Sequence, residues 1–246
     1  MLAPLSSTWV GLKSPIAIEI AFDEEVWRIT GSSPSAGKAL GRLTPLPQVA
    51  GAAISSLLAE LAHHRAVSVW RATIVESQGN ALAFVGDDWE SCITLTAHLH
   101  ARGWRILSGD YALVDIPTMT AIPFQKLLHV NSSSLSSFPL AYRRAVEASP
   151  WYSLAHTIAF YAIDPTLVTG TVAWAEQCVI RSILKVDGRI ADHPTLEAAE
   201  DFAITETLRL SDLGVGLDSA MLIPGSFIET ADFVERWFHT LSPCGS

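Results

Sequence analysis

Apolar and polar positions change period several times along the chain, most legibly over residues 81–115, ALAFVGDDWESCITLTAHLHARGWRILSGDYALVD. An apolar run ends at Gly86, and a short polar turn follows. From about 89 to 102 the period becomes helical, with Ile93, Leu95 and Leu99 on the apolar face, and Gly103 closes it. WRILSG is a second apolar run, with Asp110 at its carboxyl end. The pattern predicts strand, loop, helix, strand: a βαβ unit. Ligands bind at the carboxyl ends of parallel strands, so the 86–92 loop and the 109–110 turn lie where a site is expected.

The flanks read more coarsely. Residues 16–29 alternate as two short strands around Asp23-Glu24, and 31–41 is a Gly- and Ser-rich loop. Gly37-Lys38 within it invites a Walker A reading, but the spacing fails. Ser32 stands where the first glycine belongs, Ala39 replaces the magnesium-holding hydroxyl, and Pro45 interrupts the helix that should follow. Residues 46–64 carry helical spacing and close on His63 and His64, which suit the exposed carbonyls of a helix end. Residues 66–76 alternate as a strand, and Ser77-Gln78-Gly79-Asn80 turns it into ALAFVG as a hairpin. Downstream, the pattern predicts a strand over 121–130, a polar turn at 131–138 and a helix over 139–149. An irregular aromatic stretch covers 150–170, a strand over 178–186 ends at Asp187-Gly188, and helices fall near 195–210 and 228–240. Pro45 and Pro47 suggest a boundary, dividing an N-terminal β lobe, 1–45, from a core domain, 46–246.

Composition narrows the function classes. About half of the 246 residues are apolar and 17% are charged, as in a globular chain. A net charge of −9 argues against a nucleic-acid surface and leaves room for a small basic partner. No apolar run reaches membrane-spanning length, and the first residues lack the features of a secretory signal. Cys92, Cys178 and Cys244 are odd in number and widely spaced, which predicts free thiols in a cytoplasmic protein. The high apolar share suits either a large core or a buried homo-oligomer face.

The run from Gly79-Asn80-Ala81-Leu82 through the loop to AHLHARGWRILS, the acidic turn, ALVD and IPFQK resembles the bacterial HPr kinase-like group. These are P-loop proteins akin to phosphoenolpyruvate carboxykinase, with relatives associated with modified-peptide biosynthesis. The likeness covers roughly 66–138. It implies a P-loop core of mixed β-sheet flanked by helices, beside a small N-terminal α+β lobe. It also implies ATP and magnesium in a G-x-x-x-x-G-K-[ST] loop. Here that loop reads Gly86-Asp87-Asp88-Trp89-Glu90-Ser91-Cys92-Ile93. Ser91 replaces the second glycine, Cys92 the phosphate-binding lysine and Ile93 the magnesium hydroxyl. The family's acidic pair falls on Gly109 and Asp110, and Arg71 falls where many relatives carry histidine.

Charge at the helix start has also changed sign. A helix amino end attracts anions, yet Asp87, Asp88 and Glu90 crowd this one, and Asp87 with Glu90 has capping-box spacing. At about 5 Å and an effective dielectric of about 20, each like-charge pair with a phosphate costs roughly 3 kcal/mol. ATP and magnesium are therefore disfavoured, and no cofactor is expected. The leading functional reading is a binding or scaffolding subunit in peptide natural-product biosynthesis, whose partner is a basic peptide or another enzyme. Trp70, Trp89 and Trp104 then supply either contact area or core. A second reading is altered chemistry in the old cleft. Asp87, Asp88 and Asp110 would act as acid, base or cation ligands, His98, His100 and His129 would assist, and Cys92 would be a nucleophile. His98 and His100 are two apart on a helix and do not share a face. A third reading is an atypical kinase using Lys38 or Arg71 for the missing lysine, with Gly86, Ser91 and Arg71 at the phosphates.

Overall fold

The computed structural model describes residues 19–23, 26–30, 37–41, 46–63, 67–124, 128–149, 151–154, 158–169, 175–199, 201–205, 208–213 and 217–241. Glu24, Gly31, Ser32, Pro45, His64 and Cys244, all weighed above, lie outside them. Two compact units emerge, Met1–Ser68 and Val69–Ser246. The sequence reading put 46–68 with the core, whereas the helix there packs within the first unit.

In the first unit β1 (Glu19–Asp23), β2 (Val26–Thr30) and β3 (Lys38–Gly41) form an antiparallel sheet, in which Asp23 pairs with Val26. Lys38, expected in a loop, lies in β3. Helix α1 (Leu46–His63) packs on β2 and β3 and buries Val49, Ala53, Ser56 and Glu60 along one face, with Leu58 buried on the other side.

The second unit is mixed α/β, as the sequence predicts. Its chain runs β4 (Ser68–Trp70), β5 (Thr73–Ser77), β6 (Asn80–Val85), α2 (Trp89–His100), β7 (Arg105–Ser108), β8 (Ala112–Asp115) and β9 (Thr120–Ile122). Next come β10 (Leu128–Asn131), α3 (Leu140–Ala145), β11 (Trp151–Leu154), β12 (Ile158–Ile163) and α4 (Thr166–Thr169). It ends with β13 (Cys178–Val186), β14 (Thr195–Ala198), β15 (Asp218–Ile223) and α5 (Phe227–Leu241). The large sheet has the order β4-β8-β9-β13-β6-β5-β7, with β15 also on β13 and β14 on β15. β6, β13 and β15 are parallel. β5 is antiparallel to both β6 and β7, so the β6–α2–β7 crossover steps over its own hairpin strand.

Side chains of β6 alternate between two cores, as a strand covered on both faces requires. Leu82 and Phe84 face Leu95, Leu99, Trp104 and Phe238 under α2 and α5, while Ala81, Ala83 and Val85 face Trp70, Ile74, Ile183 and Phe202. Residues 91–100 of α2 are buried on every side, beyond the single apolar face expected.

Several elements differ from the sequence reading. The strand expected over 66–76 breaks at Arg71-Ala72 into β4 and β5. The one expected over 121–130 splits into β9 and β10, which belong to different sheets. The stretch 150–170 is not irregular: β11 and β12 pair with β10, in keeping with the β-branched and aromatic run IAFYAI. In place of a helix near 195–210 there is β14, on the edge of β15, which the periodicity missed. Phe202 and Ile204 from that stretch fill the second core, so tertiary burial overrides the local period.

Candidate functional site

The parallel ladder sets the site. Lys185 is level with Val85, so the register carries Val186 beside Gly86 and Asp187 level with Asp87. The antiparallel ladder pairs Thr73 with Phe84, which brings Arg71 to the same edge. β7 ends there too, with Gly109 and Asp110 beyond it. Arg71, the 86–88 turn, Asp110 and Asp187 therefore share one sheet edge, at the carboxyl ends of β6, β7 and β13. Asp187, which the sequence marked only as a turn, is the acid that linear reading missed. Parallel pairing of β6 with β13 was the missing signal.

Gly86 has φ +147, and a Cβ on it would stand 2.5 Å from the Val186 carbonyl oxygen. This loop glycine is thus demanded by strand packing, without any phosphate. Two residues on, Asp88 is the N-cap of α2. Its carboxylate accepts from the Ser91 N–H at 3.2 Å and from the Ser91 hydroxyl. The cap is therefore Asp88 with Ser91, not Asp87 with Glu90. Glu90 turns away instead and accepts from Asn131 Nδ2 at 2.7 Å. The helix end that would cradle a phosphate is satisfied by its own chain.

Cys92 sits at the lysine position, fully buried. Burial first, then the Asp88 carboxylate, push its thiol far up, against a smaller opposing pull from Arg71. A thiol held neutral in the core does not supply the thiolate that a nucleophile needs. His98 and His100 are also buried. His98 Nε2 lies 2.8 Å from the Ser137 carbonyl, and His100 Nδ1 lies 2.7 Å from the Tyr142 hydroxyl. Burial lowers both, His100 to about 4. They tie α2 to the 135–137 turn and to α3 and do not reach the sheet edge as assistants. Trp70 and Trp104 are core, and Trp104 Nε1 donates to Glu235 at 3.1 Å.

Trp89 is half-buried, with the Arg71 guanidinium 5.5 Å above its ring centroid. Arg71 therefore covers an aromatic face beside the loop. Asp187 is held by Arg189, whose backbone N–H and guanidinium both donate to it and keep its carboxyl below the usual range. Among the described residues no group of three or more His, Cys, Asp or Glu is placed to hold a metal ion, so Asp87, Asp88 and Asp110 do not form a cation cluster. ATP with magnesium does not fit here. Cys92 is core, the helix end is capped, and the charged side chains nearby are mostly acidic.

No protein-family profile matches the chain, and no curated protein matches it either. Among solved structures it is similar to the HPr(Ser) kinase/phosphatase from Coxiella burnetii, at 15% identity and a TM-score of 0.36, over 70% of this chain and 99% of that one. No helix among the described residues is long and apolar enough to cross a membrane.

Proposed function

We propose that this chain is a binding subunit of HPr kinase-like descent that has lost ATP-dependent phosphoryl transfer and engages a basic or amine-bearing peptide or partner enzyme in the cytoplasm. The observation that carries this reading is the self-capped start of α2. The Asp88 carboxylate takes the Ser91 N–H and hydroxyl, and Cys92 is sealed in the core where the phosphate lysine belongs. Acidic groups at the sheet edge favour a cationic partner by field alone. A role in peptide natural-product biosynthesis rests on the resemblance of residues 66–138. Altered chemistry fits less well, because the thiol is buried and the acids do not converge.

Thermal unfolding with magnesium–ATP tests the reading. A ligand at a hundred times its Kd stabilises by about 2.7 kcal/mol, which for a chain of this size raises Tm by roughly 5–10 °C. No shift is expected at millimolar nucleotide. A shift of that size, with phosphate transferred to any peptide, refutes the proposal.

A further inference from the structure

Beside the capped helix end lies a cleft of about 270 Å³ that the resemblance does not assign. Trp89, Phe138 and Phe160 give it aromatic walls, and Arg71, Glu90, His129, Asn131 and Ser134 supply its polar groups. Asp87, Asp88 and Asp110 do not line it. Four chain segments build it: the link between β4 and β5, the start of α2, β10 with the stretch after it to Phe138, and β12. Its volume falls just under the roughly 300–1,000 Å³ of pockets for drug-sized ligands, so it accepts one side chain and not a nucleotide.

We infer that this cleft binds the amino-terminal residue of a peptide, with an aromatic or branched apolar side chain inside and the ammonium on Glu90. This rests on the binding-subunit reading and gives its partner a chemistry. Aromatic and aliphatic walls call for an apolar group. Glu90 is exposed and fixed in place by the 2.7 Å bond from Asn131. A carboxylate has about four lone-pair sites, and that bond uses one. With Asp87 and Asp88 close by in the same turn, the field at the mouth favours a cation. Arg71 is exposed and lines the same cleft, where its guanidinium offers a donor to the carbonyl that follows the ammonium. An isolated ammonium would suit the acids alone. The aromatic walls add the demand for an apolar side chain next to it.

Calorimetric titration of phenylalanyl-glycine amide, its N-acetylated form and seryl-glycine amide tests this on the full chain. The free phenylalanyl peptide is expected to bind. Acetylation weakens it about tenfold, the change that a charge-assisted hydrogen bond carries. The seryl analogue does not bind. Glu90→Gln, which keeps an acceptor for Asn131, brings the free peptide down to the acetylated one. Ser134→Phe, which fills the cleft, abolishes binding of both with Tm retained. Equal binding of free and acetylated peptides overturns the inference, as does indifference to both variants or no binding of the phenylalanyl peptide. If basic peptides bind elsewhere and ignore both variants, the inference fails and the binding-subunit reading stands. Binding of magnesium–ATP removes that reading instead.

Discussion

Replacing Gly86 by alanine separates a glycine kept for phosphate from one kept for packing. The new Cβ would stand 2.5 Å from the Val186 carbonyl oxygen and 3.3 Å from its nitrogen, where ordinary contact begins at 3.4 Å. Val186 cannot retreat freely. It is level with Leu222 of β15 on its other side, and the next N–H, from Asp187, donates to the Leu222 carbonyl at 2.9 Å. Relief therefore means parting β13 from a neighbour or moving the β6 end. The left-handed φ costs about 1–3 kcal/mol for a side-chain-bearing residue. Overpacking against fixed backbone adds roughly 1–3 kcal/mol. The expected loss is about 4 kcal/mol, a large share of the 5–15 kcal/mol that holds a domain together. Urea unfolding followed by circular dichroism reads it. With a slope of about 2 kcal/mol per molar, the midpoint falls by roughly 2 M. Gly79→Ala is the control, because Gly79 also has positive φ, +83, but its Cβ would meet nothing within 4 Å. Equal losses for the two variants, or a shift under about 0.5 M for Gly86→Ala, would refute the strand-packing account.

Three further outcomes follow from the same geometry. Asp88→Ala should cost about 1 kcal/mol by chemical denaturation, while Asp88→Asn, which caps as well, costs little. Cys92→Lys, which places a lysine where the HPr kinase-like loop pattern has one, should destabilise by roughly 3–5 kcal/mol and confer no nucleotide binding, because the amine enters a sealed core. The His100 contribution to stability should be lost as pH drops from about 6.5 to about 4, and carboxylates held low, such as Asp187 beside Arg189, extend the fall to lower pH. His100 is lowered to about 4 by burial, so through that window the unfolded chain takes a proton that the folded chain refuses. After allowance for solvent screening the loss is roughly 2 kcal/mol. His100→Gln should flatten part of the slope of urea midpoint against pH, with the rest from His98, which burial also lowers.

Local pattern carried the central unit well. The apolar run into Gly86, the helical period of α2, the stop at Gly103 and the return strand all stand close to their predicted places. β13 and α5 do as well, since each has a strong period and clear ends. The failures share a cause. β14 and β15 hold their shape by pairing with each other and with β13, and their own periodicity does not mark them. IAFYAI looks irregular in a line and becomes a strand once β10 and β11 flank it. At the site, the residue types were legible and their partners were not. Asp87 and Glu90 have the spacing of a cap, yet Asp88 takes Ser91 and leaves Glu90 to Asn131, forty-one positions away.

From its residues alone the chain determines that no lysine stands between Gly86 and Ile93, that acids crowd one helix start, and that a strand–loop–helix–strand unit surrounds them. These follow from side-chain charge and from periods a few residues long, which are properties of adjacent positions. Only the tertiary structure decided that Cys92 is core, that Gly86 answers to Val186, and that Glu90 stands in an aromatic cleft with Arg71. Those depend on strand register and on helix placement over the sheet. Burial and contact are set by segments that meet in space after long separations along the chain.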